Sequence, residues 1–312
     1  MYNNIYYIIY IIYIMIIKYG IMNKNIDITN ICLQKLNNNN IITIPSGDFN
    51  RAKHFRDPVV GIKKKIIIIN NDELNEYEEQ YIIKIDLIKN KITTIDDYYI
   101  TNKLKKIHSK LYIKHGNFND ELPEQKMAVM YLKGNEKVLE IGGNIGRNSL
   151  IIASILENKN NLVTLECDKN IAHKLKENRM INKLNFHIEN SALSERKLIQ
   201  LGWDTIPSDT LRPGYTWVNT ITLDELKQKY NIEFDTLILD CEGAFYFILM
   251  DMPKILENIS LILMENDYHD ISKKQYVDKI LTENNFYRDY VEPGGWGPCY
   301  DNFFEAWKKV TL

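Results

Sequence analysis

The chain has 312 residues, 45% of them hydrophobic and 26% charged, a composition with room for one large globular domain or a domain and a smaller appendage. The formal net charge of −2 is unevenly placed: residues 1–115 carry 17 Lys/Arg against 11 Asp/Glu, and residues 116–312 carry 22 against 30. An acidic C-terminal part argues against a phosphate-rich macromolecular substrate such as RNA or DNA. Four scattered cysteines (Cys32, Cys167, Cys241 and Cys299) form no Cys-x-x-Cys pair. Neither a zinc site nor a disulfide framework is indicated, and a reducing, cytoplasmic compartment is expected.

Residues 1–22 are a hydrophobic N-terminal segment. Its unbroken run Ile5–Ile17 ends at Lys18 and is shorter than the roughly 20 apolar residues that span a bilayer. It has no basic n-region and no small-residue cleavage site. Three readings compete: a weak membrane anchor, a buried or frayed helix, and a non-native extension upstream of Met22.

Residues 23–115 read as a small β-rich module. Apolar or alternating runs at Ile41–Ile44, Ile66–Ile69, Tyr81–Leu87 and Ile92–Ile95 are separated by turn residues. Asn70-Asn71-Asp72 and Lys89-Asn90-Lys91 stand where hairpin turns would fall. The basic and aromatic stretch Phe49–Arg56 reads as a solvated loop, with contact to an anionic or sugar substrate as the second reading. Lys63–Lys65 reads as the protected edge of a sheet.

From Gly116 to residue 312 the pattern becomes α/β. A helix over Glu124–Leu132 precedes a strand at Val138–Ile141. Strands at Leu162–Glu166, Asn185–Ile188, Thr236–Leu239 and Leu261–Met264 then alternate with helices near Ile171–Met180, Phe245–Leu256 and Lys273–Asn284. Such alternation predicts a mostly parallel sheet covered on both faces. Phe286–Val291 and Phe303–Trp307 are joined by a Gly-rich loop without a helix, so these last strands should pair antiparallel.

The chain is organised around Lys137–Ser149, Lys-Val-Leu-Glu-Ile-Gly-Gly-Asn-Ile-Gly-Arg-Asn-Ser. An apolar strand stops at a glycine pair, and helical spacing resumes at Leu150. That is the cradle for a nucleotide-like ligand in an α/β sheet. A dinucleotide fingerprint needs Gly-x-Gly-x-x-Gly, but counting from Gly142 the later glycines are replaced by Asn144 and Arg147, which argues against a nicotinamide oxidoreductase. The pattern Glu140-x-Gly142-x-Asn144-x-Gly146 is instead similar to motif I of S-adenosylmethionine methyltransferases, in which Glu140 would face the cationic amino-acid end of the cofactor.

Ligands in open α/β sheets sit beyond the carboxyl ends of the strands. Glu166 ends the second strand, about 20 residues past the glycine loop, where an acid bonds ribose hydroxyls; Cys167 follows it. Asn190-Ser191-Ala192 follows the third strand and suits an adenine edge. Asp240-Cys241-Glu242-Gly243 follows the fourth, and Glu265-Asn266-Asp267-Tyr268-His269-Asp270 the fifth. The cofactor set is therefore Glu140, Gly142, Gly143, Asn144, Gly146 and Asn148 from the loop, then Glu166, Cys167, Ser191, Ala192 and Asp240 from later strand ends.

Leu139–Ser149, Thr164–Glu166, Asn219–Asp224 and Leu239–Ala244 resemble, in that order, the FkbM family of methyltransferases, and Leu261–Glu265 continues the match over roughly residues 116–270. The resemblance implies a class I methyltransferase fold of seven strands, S-adenosylmethionine as methyl donor, and O-methylation of a sugar or other small hydroxylated acceptor. One departure is Phe245, where the family has a second glutamate after Gly-Ala.

Methyl transfer from a sulfonium is an in-line displacement, so positioning supplies most of the rate, and a hydroxyl acceptor benefits from a base within hydrogen-bond reach. Asp240, Glu242 and His269 are the catalytic candidates. Asp240 could instead orient the acceptor or hold a divalent cation with Glu265 or Asp267, but the pattern gives no firm ligand set and no metal ligand is assigned. Two aromatic loops, Trp203–Trp217 and Pro293–Asn302, suit the apolar face of a sugar ring or a lid. The alternatives are methylation of an amine or protein acceptor, and a non-catalytic glycan-binding or scaffold protein that keeps the fold.

Overall fold

A computed structural model describes residues 15–38 and 40–310. The chain divides into two compact units, one ending at Asn102 and the other beginning at Lys103.

The first unit holds two four-stranded antiparallel sheets. One has the order β2-β1-β5-β6, built from β1 (Ile16–Ile21), β2 (Lys24–Asp27), β5 (Lys65–Asn70) and β6 (Glu73–Tyr77). The other has the order β3-β4-β7-β8, built from β3 (Asn37–Asn38), β4 (Ile41–Ile44), β7 (Tyr81–Asp86) and β8 (Lys91–Asp96). Alternation puts Ile17, Tyr19, Ile42, Ile44, Ile66, Ile68, Ile83 and Ile85 into one apolar core, with Ile28 and Cys32 from around α1 (Thr29–Lys35), as a two-residue side-chain period requires. The β5–β6 hairpin turns at Asn71 and Asp72, both with positive φ, the conformation that Asn and Asp tolerate in tight hairpins. The helix α3 (Asp97–His108) runs across the division between the units.

Three expectations for this region are corrected. Residues 1–14 lie outside the described residues, but Ile16 and Ile17 are not helical: they open β1, which pairs with β2 and β5. The β-branched isoleucines of β1 bury alternate side chains on a pleated face, which favours a strand. Phe49–Arg56 is no loop, since Asp48–Phe55 forms α2. Its Arg51 is fully buried and gives its guanidinium hydrogens to the carbonyls of Pro45, Glu78 and Tyr81. Lys64 is equally buried, paired with Asp48 at 2.8 Å and Asp57 at 2.9 Å, and it leads into β5, an interior strand rather than an edge. Paired burial of a cation looks like surface charge in a one-dimensional reading. Among the described residues no helix is long and apolar enough to cross a membrane.

The second unit is an α/β domain. It contains α4 (Leu122–Tyr131), β9 (Val138–Ile141), α5 (Arg147–Ile155), β10 (Leu162–Leu165), α6 (Lys169–Ile181) and β11 (His187–Glu189). An inserted region follows, with the short parallel pair β12 (Ala192–Leu193) and β16 (Thr220–Ile221) and a three-stranded sheet of β13 (Leu198–Leu201), β14 (Asp204–Pro207) and β15 (Thr216–Val218). The chain then returns through α7 (Leu223–Tyr230), β17 (Thr236–Leu239), α8 (Phe245–Asp251), β18 (Leu261–Glu265), α9 (Ile271–Glu283), β19 (Phe286–Glu292) and β20 (Phe304–Lys309).

Its main sheet has the order β11-β10-β9-β17-β18-β20-β19. Numbering these seven in chain order gives 3-2-1-4-5-7-6. Neighbours from β11 to β18 are parallel, and β20 is antiparallel to both β18 and β19. This is the Rossmann-like class I methyltransferase architecture. The four central strands bury every residue apart from the last of β18, Glu265, as expected for strands covered on both faces. Lys274 of α9 is buried between Asp278 and Glu305, and Arg288 of β19 pairs with the same two acids. This network ties α9 to the antiparallel edge of the sheet.

The sequence direction reverses between β9 and β17, since the chain builds outward through β10 and β11 and then returns to the other side of β9. A ligand crevice forms at such a switch point, beyond the carboxyl ends of the strands.

Candidate functional site

The crevice starts where β9 stops. The Gly142 and Gly143 N–H groups both donate to the Leu165 carbonyl, at 3.0 and 2.8 Å, and the Asp240 N–H donates to the Ile141 carbonyl at 3.1 Å. Gly142 has φ +91°, and a Cβ there would run into the Asp240 carbonyl oxygen. Only glycine allows both the turn and this approach. The Asn144 N–H donates to Glu166 at 2.9 Å, and the Asp168 N–H donates to the other Glu166 oxygen at 2.8 Å. Glu166 thus ties the glycine loop to the end of β10. Arg147 opens α5 and pairs with Glu121 at 2.6 Å and Asp120 at 3.1 Å, which fixes the chain before α4 beside the loop.

Around these residues lies a cavity of about 190 Å³. It is lined by Gly142, Asn144, Glu166, Cys167, Ser191, Ala192, Asp240 and Glu242 among the sequence-predicted site residues, which the fold therefore brings together. Gly143, Gly146, Asn148 and Glu140 are not in its wall. Gly143 packs on Thr164 and Gly146 on Leu175. Asn148 is buried on the first turn of α5. Glu140, expected to face the cofactor, is buried within the sheet, where its carboxylate accepts from the Ser149 hydroxyl. Burial raises its pKa to about 7, against the lowering by the hydrogen bonds from Ser149 and Thr164. In β9 the side chains alternate between faces, and Glu140 falls on the face that packs under α5.

More of the lining lies outside the sequence-predicted site residues, although Trp203, Thr205 and Pro207 fall within the aromatic stretch Trp203–Trp217. Leu198 and Gln200 of β13, Trp203, and Thr205 and Pro207 of β14 line the same cavity, as do Phe247 and Ile248 of α8 and Met252 just beyond it. Gln200 Nε2 lies 3.4 Å from the Cys167 Sγ. The available signal was Leu198–Leu201 and Asp204–Pro207 flanking Gly202-Trp203, which is a hairpin pattern. Trp203 thus belongs to the wall that holds Cys167, Ser191 and Ala192, while Trp217 stands half-exposed outside the lining. Of the second aromatic loop, Gly294 and Gly295 pack on Phe304 and Phe303, and Cys299 is buried. Trp296 remains part-exposed with its ring centroid 4.4 Å from that of His269. His269 is exposed and outside the cavity wall.

The opposite end is acidic. Asp240 is held well above the usual carboxylate range by burial and by the carboxylates of Glu121, Glu124, Asp267 and Glu242. Glu265 is pushed up by burial, by a hydrogen bond with Glu124, and by Asp240. Asp267 is raised by burial and by Glu242. Glu242 stands exposed at the rim with φ +51°. Partial desolvation raises its pKa, and the nearby His269 lowers it. Carboxylates this close cannot all ionise without a compensating positive charge. The Cys241 and Cys167 thiols are both raised by burial, Cys167 to about 11, which leaves them unionised and poor nucleophiles.

Phe245 is fully buried at the start of α8. Here the position serves the core and contributes no carboxyl to the cavity.

No family model matches the chain, and no curated protein resembles it significantly in sequence. Solved structures do match in shape. An O-methyltransferase from Bacillus cereus in complex with SAH is 17% identical, with 68% of this chain and 91% of that one covered and a TM-score of 0.39. A ribosomal protein L11 methylase from Lactobacillus delbrueckii subsp. bulgaricus is 10% identical, with 64% and 82% covered and a TM-score of 0.40. An rRNA methylase from Streptococcus thermophilus is 9% identical, with 60% and 94% covered and a TM-score of 0.38. The acceptors of these three differ, and the fold assignment rests on strand order and register.

Proposed function

We propose that the protein is an S-adenosylmethionine-dependent O-methyltransferase of the FkbM kind, acting on a hydroxyl of a sugar or other small acceptor. One observation carries the reading: the cavity at the switch point joins a glycine loop, the acid Glu166 and a small polar edge at Ser191–Ala192 to an acidic end at Asp240 and Glu242. The loop and Glu166 suit a nucleoside, and the acidic end suits a ligand with a sulfonium and an ammonium charge. The chain's own residues supply the rest. Backbone N–H groups and the Asn144–Glu166 contact fix the loop, Leu198, Phe247 and Ile248 exclude water, and Asp240 and Glu242 accept a proton near the acceptor.

The bound cofactor would supply an electrophilic methyl group. On this chain, Asp240 or Glu242 would take the proton of the acceptor hydroxyl as its oxygen is methylated. A carboxylate with raised proton affinity is the better base near neutral pH.

Calorimetry with S-adenosylmethionine and with NAD tests the cofactor; binding of NAD alone would sink the reading. Methyl-labelled cofactor with a panel of sugars then tests the acceptor. Tight cofactor binding with no transfer to any acceptor class would favour a scaffold that keeps the fold. Asp240→Asn is expected to abolish transfer and leave cofactor affinity within about threefold, since one charge of several at the acidic end is removed.

A further inference from the structure

Three carboxylates meet beside the cavity from three separate elements. Glu124 projects from α4, Asp240 follows β17, and Glu265 ends β18. One oxygen from each lies within 4.8 Å of the others. Two oxygens on opposite sides of a hard cation bound at 2.3–2.6 Å stand about 5 Å apart, so the three oxygens lie within the span of one ion's coordination shell.

An acidic cluster alone would not make a site. Here Glu124 is only 8% exposed, and apart from the carboxyl–carboxyl contact with Glu265 its Oε2 is buried with no hydrogen-bond partner. Leaving such an atom unpaired costs on the order of 1–3 kcal/mol, and more when it is charged. Arg147 is already paired with Glu121 and Asp120, and Arg196 of the cavity lining with Asp251.

We propose that Glu124, Asp240 and Glu265 bind one hard divalent cation of the Mg²⁺, Mn²⁺ or Ca²⁺ class. The donor set is all oxygen, with neither imidazole nor thiolate, which selects hard ions over zinc or copper. Three carboxylates leave coordination positions for water or for ligand hydroxyls. Asp240 also lines the cavity, so the ion lies at the edge of the ligand space. Its use there rests on the methyl-transfer reading: it would hold the acceptor oxygens and lower the cost of deprotonating one of them. Binding of the ion itself is independent of that reading.

The test is Mn²⁺ titration of the cofactor-free protein followed by electron paramagnetic resonance. One Mn²⁺ per chain is expected, displaced by Mg²⁺ or Ca²⁺. Glu124→Gln and Glu265→Gln keep the side-chain shape and remove one charge each, and both should weaken Mn²⁺ by roughly tenfold or more. Circular dichroism and S-adenosylmethionine calorimetry on the same variants show whether they fold. Absence of saturable binding up to roughly millimolar Mn²⁺, or equal affinity in both folded variants, overturns the site. Mn²⁺ binding in a protein that transfers no methyl group upholds the site and removes only the methyl-transfer reading. Full transfer in EDTA-treated protein that also fails to bind Mn²⁺ does the reverse.

Discussion

Gly142 and Asp240 touch across the switch point: the Asp240 carbonyl fills the place where a Cβ on Gly142 would stand. The two strand ends that carry the site are therefore locked by a glycine on one and a backbone oxygen on the other. Gly142→Ala must relieve both this collision and a φ of +91°, and neither neighbouring atom is the tip of a flexible side chain. A loss of about 1–3 kcal/mol of stability is expected, together with weakened cofactor binding as the loop shifts. Urea denaturation and calorimetry on the variant measure both. Unchanged stability would mean that the loop can yield at no cost.

Glu140 predicts a pH dependence. Its folded pKa lies at about 7 against an ordinary 4.5, so between these values the folded protein holds a proton that the unfolded chain has released. Stability is therefore fully present below about pH 4.5 and declines as pH rises towards 7; by linkage this one group accounts for about 3 kcal/mol. Asp240, Glu265 and Asp267 are raised as well, and their contributions have the same sign. Glu140→Gln keeps an acceptor for the Ser149 hydroxyl and cannot ionise. Urea unfolding at intervals from pH 5 to 8 should show a shallower decline in the variant. A decline as steep as the parent's would show that Glu140 does not titrate there.

Much of the sheet was legible because its strands are buried on both faces and read as continuous apolar runs ending in informative residues. Thr236–Leu239 ends at Asp240 and Leu162–Leu165 at Glu166, so the carboxyl-end rule found the crevice. Three features resisted. Glu140 sits in motif I, but the pleat turns it away from the cavity, and alternation within a buried strand leaves no polar pattern to show this. Arg51 and Lys64 are buried by partners distant in sequence. Glu124 lies on a helix that reads as simple packing, and its meeting with Asp240 and Glu265 depends on tertiary geometry.

Trp203 offers a test of the wall beside Cys167. It lines the cavity with Gln200 and Thr205, and Gln200 Nε2 lies 3.4 Å from the Cys167 Sγ. A large aromatic face there can cover a nucleoside base, which is worth about 1–3 kcal/mol per stacked base. Trp203→Ala is expected to weaken S-adenosylmethionine by roughly tenfold, while Trp217→Ala, outside the lining, should leave the affinity unchanged. Calorimetry on the pair decides. Equal effects would assign both tryptophans to something other than the cofactor.

Phe245 stands where the methyltransferase family that the sequence resembles carries a glutamate. If a glutamate at this position worked in the cavity, Phe245→Glu would restore a missing carboxyl and raise transfer. The packing says otherwise, since the ring is 1% exposed on the first turn of α8, and the residue in front of it at the cavity is Ala244. A carboxylate in that place loses the ring's buried area and has to be desolvated without a partner, together roughly 3–5 kcal/mol. The expected outcome is a large fall in Tm and no gain in methyl transfer. A folded Phe245→Glu variant with faster transfer would reverse the assignment and make the phenylalanine a loss of function in this chain.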